Sequence, residues 1–223
     1  MDVTSREEIK FHTETLPRKT KKALDFLSTE SWLKQSGWYL AGGTALALHA
    51  GHRKSVDLDF FTRKADFEPA EVLDYFEKNK DWETNIGKAK TIYGELFGAK
   101  ISFIAYPFFL PKQAYVKYGV IDVLDTRDIA VMKIVAISQR GKKRDFFDLF
   151  WCAHHVEPLL EILKQLPAQY PSVAHDYHHI LKSLVYFDDA EGDANPEINF
   201  DADWKTVKTF FQREVPLVMD TLI

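Results

Sequence analysis

The stretch LAGGTALALHAGHRKSVDLDFF, Leu40 to Phe61, decides the fold. WYLAG, Trp38 to Gly42, reads as a short buried strand, Thr44 to Ala50 as a helix, and Ser55 to Phe61 as an alternating strand. The three make a βαβ-like unit. Side chains on a strand repeat direction every second residue, so Asp57 and Asp59 share one face while Val56, Leu58 and Phe60 take the other. Two carboxylates about 6–7 Å apart repel each other and resist desolvation. A divalent cation between them relieves both, and magnesium suits that position because it takes one or two protein carboxylates and fills its shell with water and substrate phosphates. At the start of the helix, Gly42 and Gly43 let the backbone approach a ligand, and the free N–H groups and helix dipole favour a phosphate. Thr44 adds a hydroxyl. Taken singly, each half reads as well as a helix cap beside ordinary surface aspartates; their conjunction in one unit points to a site.

Outward from this unit, Pro17 to Lys34 has the apolar spacing of an amphipathic helix stopped by Gly37, and Pro69 opens a helix that ends near Lys80. Trp82 to Ala89, Thr91 to Phe97 and Lys100 to Tyr106 read as a strand meander, and residues 120–124 as a last short strand after the variable-looking FFLPKQAYVKYG. From Thr126 the pattern turns helical: Thr126 to Gln139, Arg144 to His155, Glu157 to Lys164, Val173 to Tyr186 and Trp204 to Glu214. The acidic DDAEGDANPE, Asp188 to Glu197, reads as a solvated loop.

A second constellation lies in DIAVMKIVAISQRGKKRDFFDLF, where Lys133 stands beside the apolar face formed by Ile129, Met132, Val135 and Ala136. An amine there leans from the core toward a cleft. The basic turn Arg140-Gly-Lys-Lys-Arg144 follows, then Asp145 and Asp148 on one helical face. Acids near a helix start also offset its dipole, which is an equally good structural reading of Asp145.

The two constellations together resemble the AbiEii/AbiGii nucleotidyltransferase-like toxin family, within the DNA polymerase β-type nucleotidyltransferase superfamily. The likeness runs from about Trp38 onward and includes VYFDDAEGDANPEINFDADWKTVKTFF. It implies a mixed α/β (α+β) fold: a small mixed-sheet nucleotidyltransferase lobe with an N-terminal helix over residues 1–125, then a helical lobe over 126–223, with the cleft between. By resemblance Gly42, Gly43 and Thr44 cradle the phosphates of a nucleoside triphosphate, Asp57 and Asp59 hold magnesium (Mg2+), and Lys133 contacts phosphates or ribose. Arg53 lies where it reaches phosphate or is simply solvated. Asp145 joins the catalytic set; Arg144, standing where the family more often has lysine, and Asp148 complete the nucleotide site or orient its cations. The family further implies nucleotide transfer to an acceptor, with RNA and in particular tRNA expected, and a cognate antitoxin; the lack of any long apolar run leads separately to the expectation of no membrane role. Polymerase β-type transferases bring a third carboxylate from a later strand, but AKISFIAYPF offers Ser102 in that place. Glu95 or Asp122 is a substitute by position alone, and a catalytically degenerate nucleotide-binding or partner-binding module stands as the alternative.

Composition narrows the remainder. At 223 residues, 46% hydrophobic, the chain buries a sizeable core, and a formal charge of -4 excludes coating of nucleic acid by bulk positive charge while leaving room for the 140–144 turn. One cysteine, Cys152, excludes an internal disulfide and sits in an apolar helix, where a buried thiol is expected. No apolar run reaches the roughly 18–20 residues of a membrane span, and MDVTSREEIKFH lacks a secretory core, so a cytoplasmic protein is expected. His154, His155, His175, His178 and His179 lack a His-Glu-x-x-His pattern and read as surface or packing residues.

Overall fold

Strands β1 (Trp38–Ala41), β2 (Leu58–Thr62), β3 (Trp82–Lys88), β4 (Thr91–Leu96), β5 (Ala99–Ala105), β6 (Val116–Tyr118) and β7 (Ile121–Val123) form one mixed sheet in the order β3-β4-β5-β2-β1-β7-β6. The computed structural model describes residues 10–76 and 79–222. Most of the N-terminal stretch read as lacking a secretory core lies outside these residues, as does part of the helix expected to reach Lys80. The meander is present as the antiparallel ladder β3-β4-β5, and β5 then pairs parallel with β2. The α/β class expected from the sequence is borne out.

Two elements differ instructively. The unit β1, α2 (Gly42–Ala50), β2 is not a parallel βαβ crossover, because β1 and β2 are antiparallel neighbours with Ala41 opposite Asp59. A nine-residue helix rises only about 13 Å, and the extended run after Gly51 covers that distance back to where the helix began. Strand β2 also starts later than the alternation suggests. Ser55 N–H donates to Thr15 O, Thr20 Oγ1 to Val56 O and Thr44 Oγ1 to Asp57 O, so these residues are held by helices rather than strand partners. Val56 is exposed, whereas Leu58 and Phe60 are fully buried as expected.

One face of the sheet is covered by α1 (Arg18–Leu27) and an aromatic layer of Trp32, Trp38, Phe60, Phe67, Phe76 and Phe103. Helix α1 ends earlier than Lys34 because Ser28 and Thr29 turn their hydroxyls back onto the carbonyls of Asp25 and Phe26; a separate 3-10 turn covers Ser31–Leu33. The helix opened by Pro69 keeps only one turn, α3 (Ala70–Leu73). On the opposite side, α4 (Thr126–Arg140) packs against α2, α5 (Lys143–His155), α6 (Leu159–Lys164) and α8 (Tyr177–Leu184). Short turns α7 (Leu166–Gln169) and α9 (Asp188–Glu191) and the long α10 (Trp204–Leu222) complete the helical side. Helix α10 passes Pro216 because Val207, Phe211, Val215 and Val218 continue its buried stripe. The acidic stretch from Asp188 is not wholly loop: it begins as α9 and then ties the halves of the chain together. Glu197 O accepts from Lys54 N–H, and Asn199 N–H and Nδ2 donate to His52 O and Gly51 O. Among the described residues no helix is long and apolar enough to cross a membrane.

Candidate active site

A cleft of about 440 Å³ opens between the sheet and α4, and its walls include Gly42, Gly43, Asp57, Asp59, Lys133 and Arg144. Each is placed by a local device. Gly42 has φ +72°, a left-handed conformation that glycine adopts without strain, and a Cβ there would lie 3.2 Å from Asp59 Oδ2. At Gly43 a Cβ would fall 2.3 Å from Arg53 Nη2, and that guanidinium is buried and fastened, so it cannot step aside. The glycines thus bring the start of α2 against both the acid pair and Arg53. Thr44 is buried, and its hydroxyl faces inward: it donates to the Asp57 carbonyl and meets Ser55 Oγ at 2.8 Å. It pins the loop that carries Asp57.

Asp59 is opposite Ser102 on β5, and Ser102 Oγ donates to Asp59 Oδ1 at 2.6 Å. Burial, and then the negative charge of Asp57, raise the Asp59 carboxyl above its ordinary value despite that bond. The cation nearest the pair is Arg144, whose Nη1 is 3.7 Å from Asp57 Oδ2. Two hard carboxylates that repel each other beside open space fit a divalent cation whose remaining ligands are water and phosphate. Among the described residues no group of three or more His, Cys, Asp or Glu side chains is arranged to hold a metal by protein ligands.

Behind the cleft lies a buried ion cluster. Lys133 Nζ meets Asp145 Oδ1 at 2.7 Å and Asp148 Oδ2 at 2.6 Å. Arg53 donates from Nε and Nη2 to both Asp148 oxygens, His52 Nε2 lies 2.8 Å from Asp148 Oδ1, and Arg140 holds Asp145 Oδ2 at 3.1 Å. Burial alone would raise the Asp148 carboxyl; Arg53 and Lys133, with hydrogen bonds from Arg53 and His52, hold it well below the carboxylate range. Burial opposes charge on Lys133 as well, but Asp145 and Asp148 raise its pKa, so it stays protonated. His52 is kept neutral, because burial lowers its pKa more than Asp148 restores it. The cations Lys133, Arg53 and Arg140 against Asp145 and Asp148 leave one positive charge in excess, and Lys133 and Arg140 present it to the cleft.

The sequence-expected residues therefore divide. Gly42, Gly43, Asp57, Asp59, Lys133 and Arg144 line one cleft, whereas Thr44, Arg53, Asp145 and Asp148 are buried behind it as its supports. Lys143, grouped with the basic surface by its neighbours in sequence, is buried and donates to Glu191 O and Asp193 O; its ammonium steadies the start of α5. Sequence reasoning does not distinguish His52 from a solvated loop, and it passes over the cleft walls Phe61, Tyr93, Ile104 and Tyr106. Phe61 is reachable from sequence, since it follows Asp59 by two residues on an alternating strand. Cys152 is buried, and burial pushes its thiol upward, as befits an unreactive core residue.

A mixed sheet bearing an acid pair beside a helix start, faced by a basic helix, is the framework of a nucleotidyltransferase. The same fold is seen in a crystal structure from H. pylori, provisionally assigned as a nucleotidyltransferase, with TM-score 0.52 and 18% identity over 90% of this chain and 94% of that one. MenT4, the nucleotidyltransferase toxin of Mycobacterium tuberculosis H37Rv, aligns more loosely, with TM-score 0.43 and 16% identity over 92% and 95% of the two chains. In sequence, an uncharacterized protein of Aquifex aeolicus (strain VF5) is 37% identical over 187 residues, 80% of this chain and 86% of its own. The family model of the nucleotidyl transferase AbiEii toxin, type IV toxin–antitoxin system, matches residues 27–104 and 111–222, and the chain belongs to that family. The resemblance drawn from the glycine turn and the Asp-x-Asp pair is borne out.

Proposed function

We propose that this chain is a magnesium-dependent toxin that transfers a nucleotide from a nucleoside triphosphate to a hydroxyl of RNA, with tRNA the expected acceptor, and that a cognate antitoxin restrains it in the cytoplasm. One observation carries the reading: a repelling acid pair, a glycine-opened helix start and a buried, protonated lysine share one cleft. Asp57 and Asp59 would hold magnesium, which supplies positive charge to the reacting phosphate when bound. The amides at Gly42 and Gly43 and the Lys133 ammonium hold the phosphate tail. The acceptor oxygen attacks the α-phosphorus, the bond to the bridging oxygen breaks, and pyrophosphate leaves; the hydroxyl proton passes to a carboxylate of the pair and on to water. Asp145, Asp148 and Arg53 act by fixing Lys133 and Arg140 in position. The division of labour among the residues that line the cleft falls near residue 125, with Gly42, Gly43, Asp57 and Asp59 on the sheet side and Lys133, Arg140 and Arg144 on the helical side. Arg140, Lys142 and Arg144 form the local positive surface for the RNA backbone.

Ser102 in place of a third acid favours a second reading, a nucleotide-binding module without turnover. The test is transfer of label from each of the four triphosphates to total RNA with magnesium. The expected result is labelling by the wild type and loss of at least about a hundredfold in Asp57→Ala, together with loss of growth inhibition. A wild type that binds nucleotide and labels no RNA would establish the second reading.

A further inference from the structure

Strand register places one exposed aromatic in line with the acid pair. Asp59 on β2 is opposite Ser102 on β5, and Ser102 is opposite Tyr93 on β4. Asp59 and Tyr93 both line the cleft, two strand spacings or about 10 Å apart. Tyr93 is 44% exposed, whereas Phe60 and Phe103 on the covered face of the sheet are fully buried. Phe61 and Ile104, each two residues beyond its cleft-facing neighbour Asp59 or Ser102, extend an apolar floor. Tyr106 stands edge-on to Phe61 at 5.7 Å.

The order of features across the sheet is Tyr93, Ser102, Asp59, then the start of α2 at Gly42. The phosphate-holding helix start and the aromatic floor thus flank the acid pair from opposite sides. In-line phosphoryl displacement needs the entering oxygen opposite the leaving group. With the triphosphate tail at α2, pyrophosphate departs toward α2, and the acceptor must enter from the side of β5 and β4. Two strand spacings leave room for one ribose between the reacting centre and a base lying on the Tyr93 ring.

We propose that Tyr93 is a stacking platform for the unpaired 3′-terminal nucleoside of the RNA acceptor, a positioning residue on the acceptor side of the cleft. The inference rests on the transferase reading and adds to it a positioning residue, Tyr93, that holds the acceptor's end with little regard to base identity because every base offers a π-face. Ile104 and Phe61 exclude water beneath the sugar, and Arg140 and Arg144 at the rim receive the preceding phosphate.

The test uses the full chain and a short single-stranded RNA carrying 2-aminopurine at its 3′ end, whose fluorescence falls on stacking. Wild type is expected to quench the probe and Tyr93→Phe to match it within about twofold. Tyr93→Ala is expected to lose the quench and to raise KM for RNA by about ten- to a hundredfold, leaving KM for the triphosphate unchanged. Tyr93→Val, which keeps strand propensity, guards against a loosened β4 and is expected to behave as alanine does. The proposal is overturned if the quench survives in both truncations, if wild type does not quench, or if triphosphate KM moves and RNA KM does not. A Tyr93-dependent quench in a wild type that transfers no nucleotide would sustain the platform and remove the transferase reading. Transfer that is indifferent to Tyr93 would do the reverse.

Discussion

Asp148 joins the consecutive His52 and Arg53 to Lys133, which is distant from them in the chain, and through Arg53 it fixes the backbone at Gly43. A carboxylate this buried and this well paired makes its contribution through the charges it neutralises. Replacing it leaves Arg53 and Lys133 without that counter-charge in the interior, and Asp148→Asn is expected to cost about 3–5 kcal/mol by urea unfolding at neutral pH. The pH dependence has a definite sign. Because the folded carboxyl titrates well below its ordinary value of 3.8, its stabilisation is fully present above that value and is lost as the pH falls below it. Wild type is expected to lose stability on acidification below about pH 4, and Asp148→Asn to show a flatter acid limb in the same range. A parallel limb in both proteins would show that Asp148 is not the titrating group.

At the level of elements, the site is built where regular structure stops. Asp57 precedes β2 and is held by Thr44, so its carbonyl belongs to the helix start and its side chain to the cleft. Local pattern suffices to find Gly42, Gly43, Asp57 and Asp59, because a glycine turn and an Asp-x-Asp alternation lie within one short stretch. It does not suffice for the pairing of Arg53 with Asp148, 95 residues apart, or for the line from Asp59 through Ser102 to Tyr93, which exists only once strand register is set. For the same reason a three-residue strand such as β6 leaves too short a period to recognise, and alternation gives Val56 a buried face that helix contacts deny it. Helix α10 offers an independent check on element energetics. Pro216 lacks an N–H to donate within the helix and is exposed, while Val215 and Val218 hold the stripe in place. Pro216→Ala is expected to raise the thermal midpoint, corresponding to about 1–3 kcal/mol, without altering nucleotide transfer; a fall would mean that the proline sets a bend the packing requires.

Over the whole molecule, charge is segregated rather than abundant. A chain of net charge -4 gathers Arg140 and Arg144 at the cleft and Lys142 beside them against Asp193, and under the transferase reading attraction for RNA would depend on a handful of contacts. Each phosphate contact to a single strand contributes about 0.7 to the slope of log affinity against log salt. Lys142→Ala is expected to lower that slope by about 0.7 in anisotropy titrations of labelled single-stranded RNA against KCl, and an unchanged slope would remove Lys142 from the path. The crossing between residues 51–54 and 197–199 has a consequence in time. Ribosomes add about 5–20 residues per second, so the acid pair is made several seconds before Ile198 bridges Arg53 and Asn199 closes over Gly51. A growing chain therefore lacks the brace behind the start of α2 until synthesis has passed Asn199, so the cleft of each copy is finished well after its acids are made.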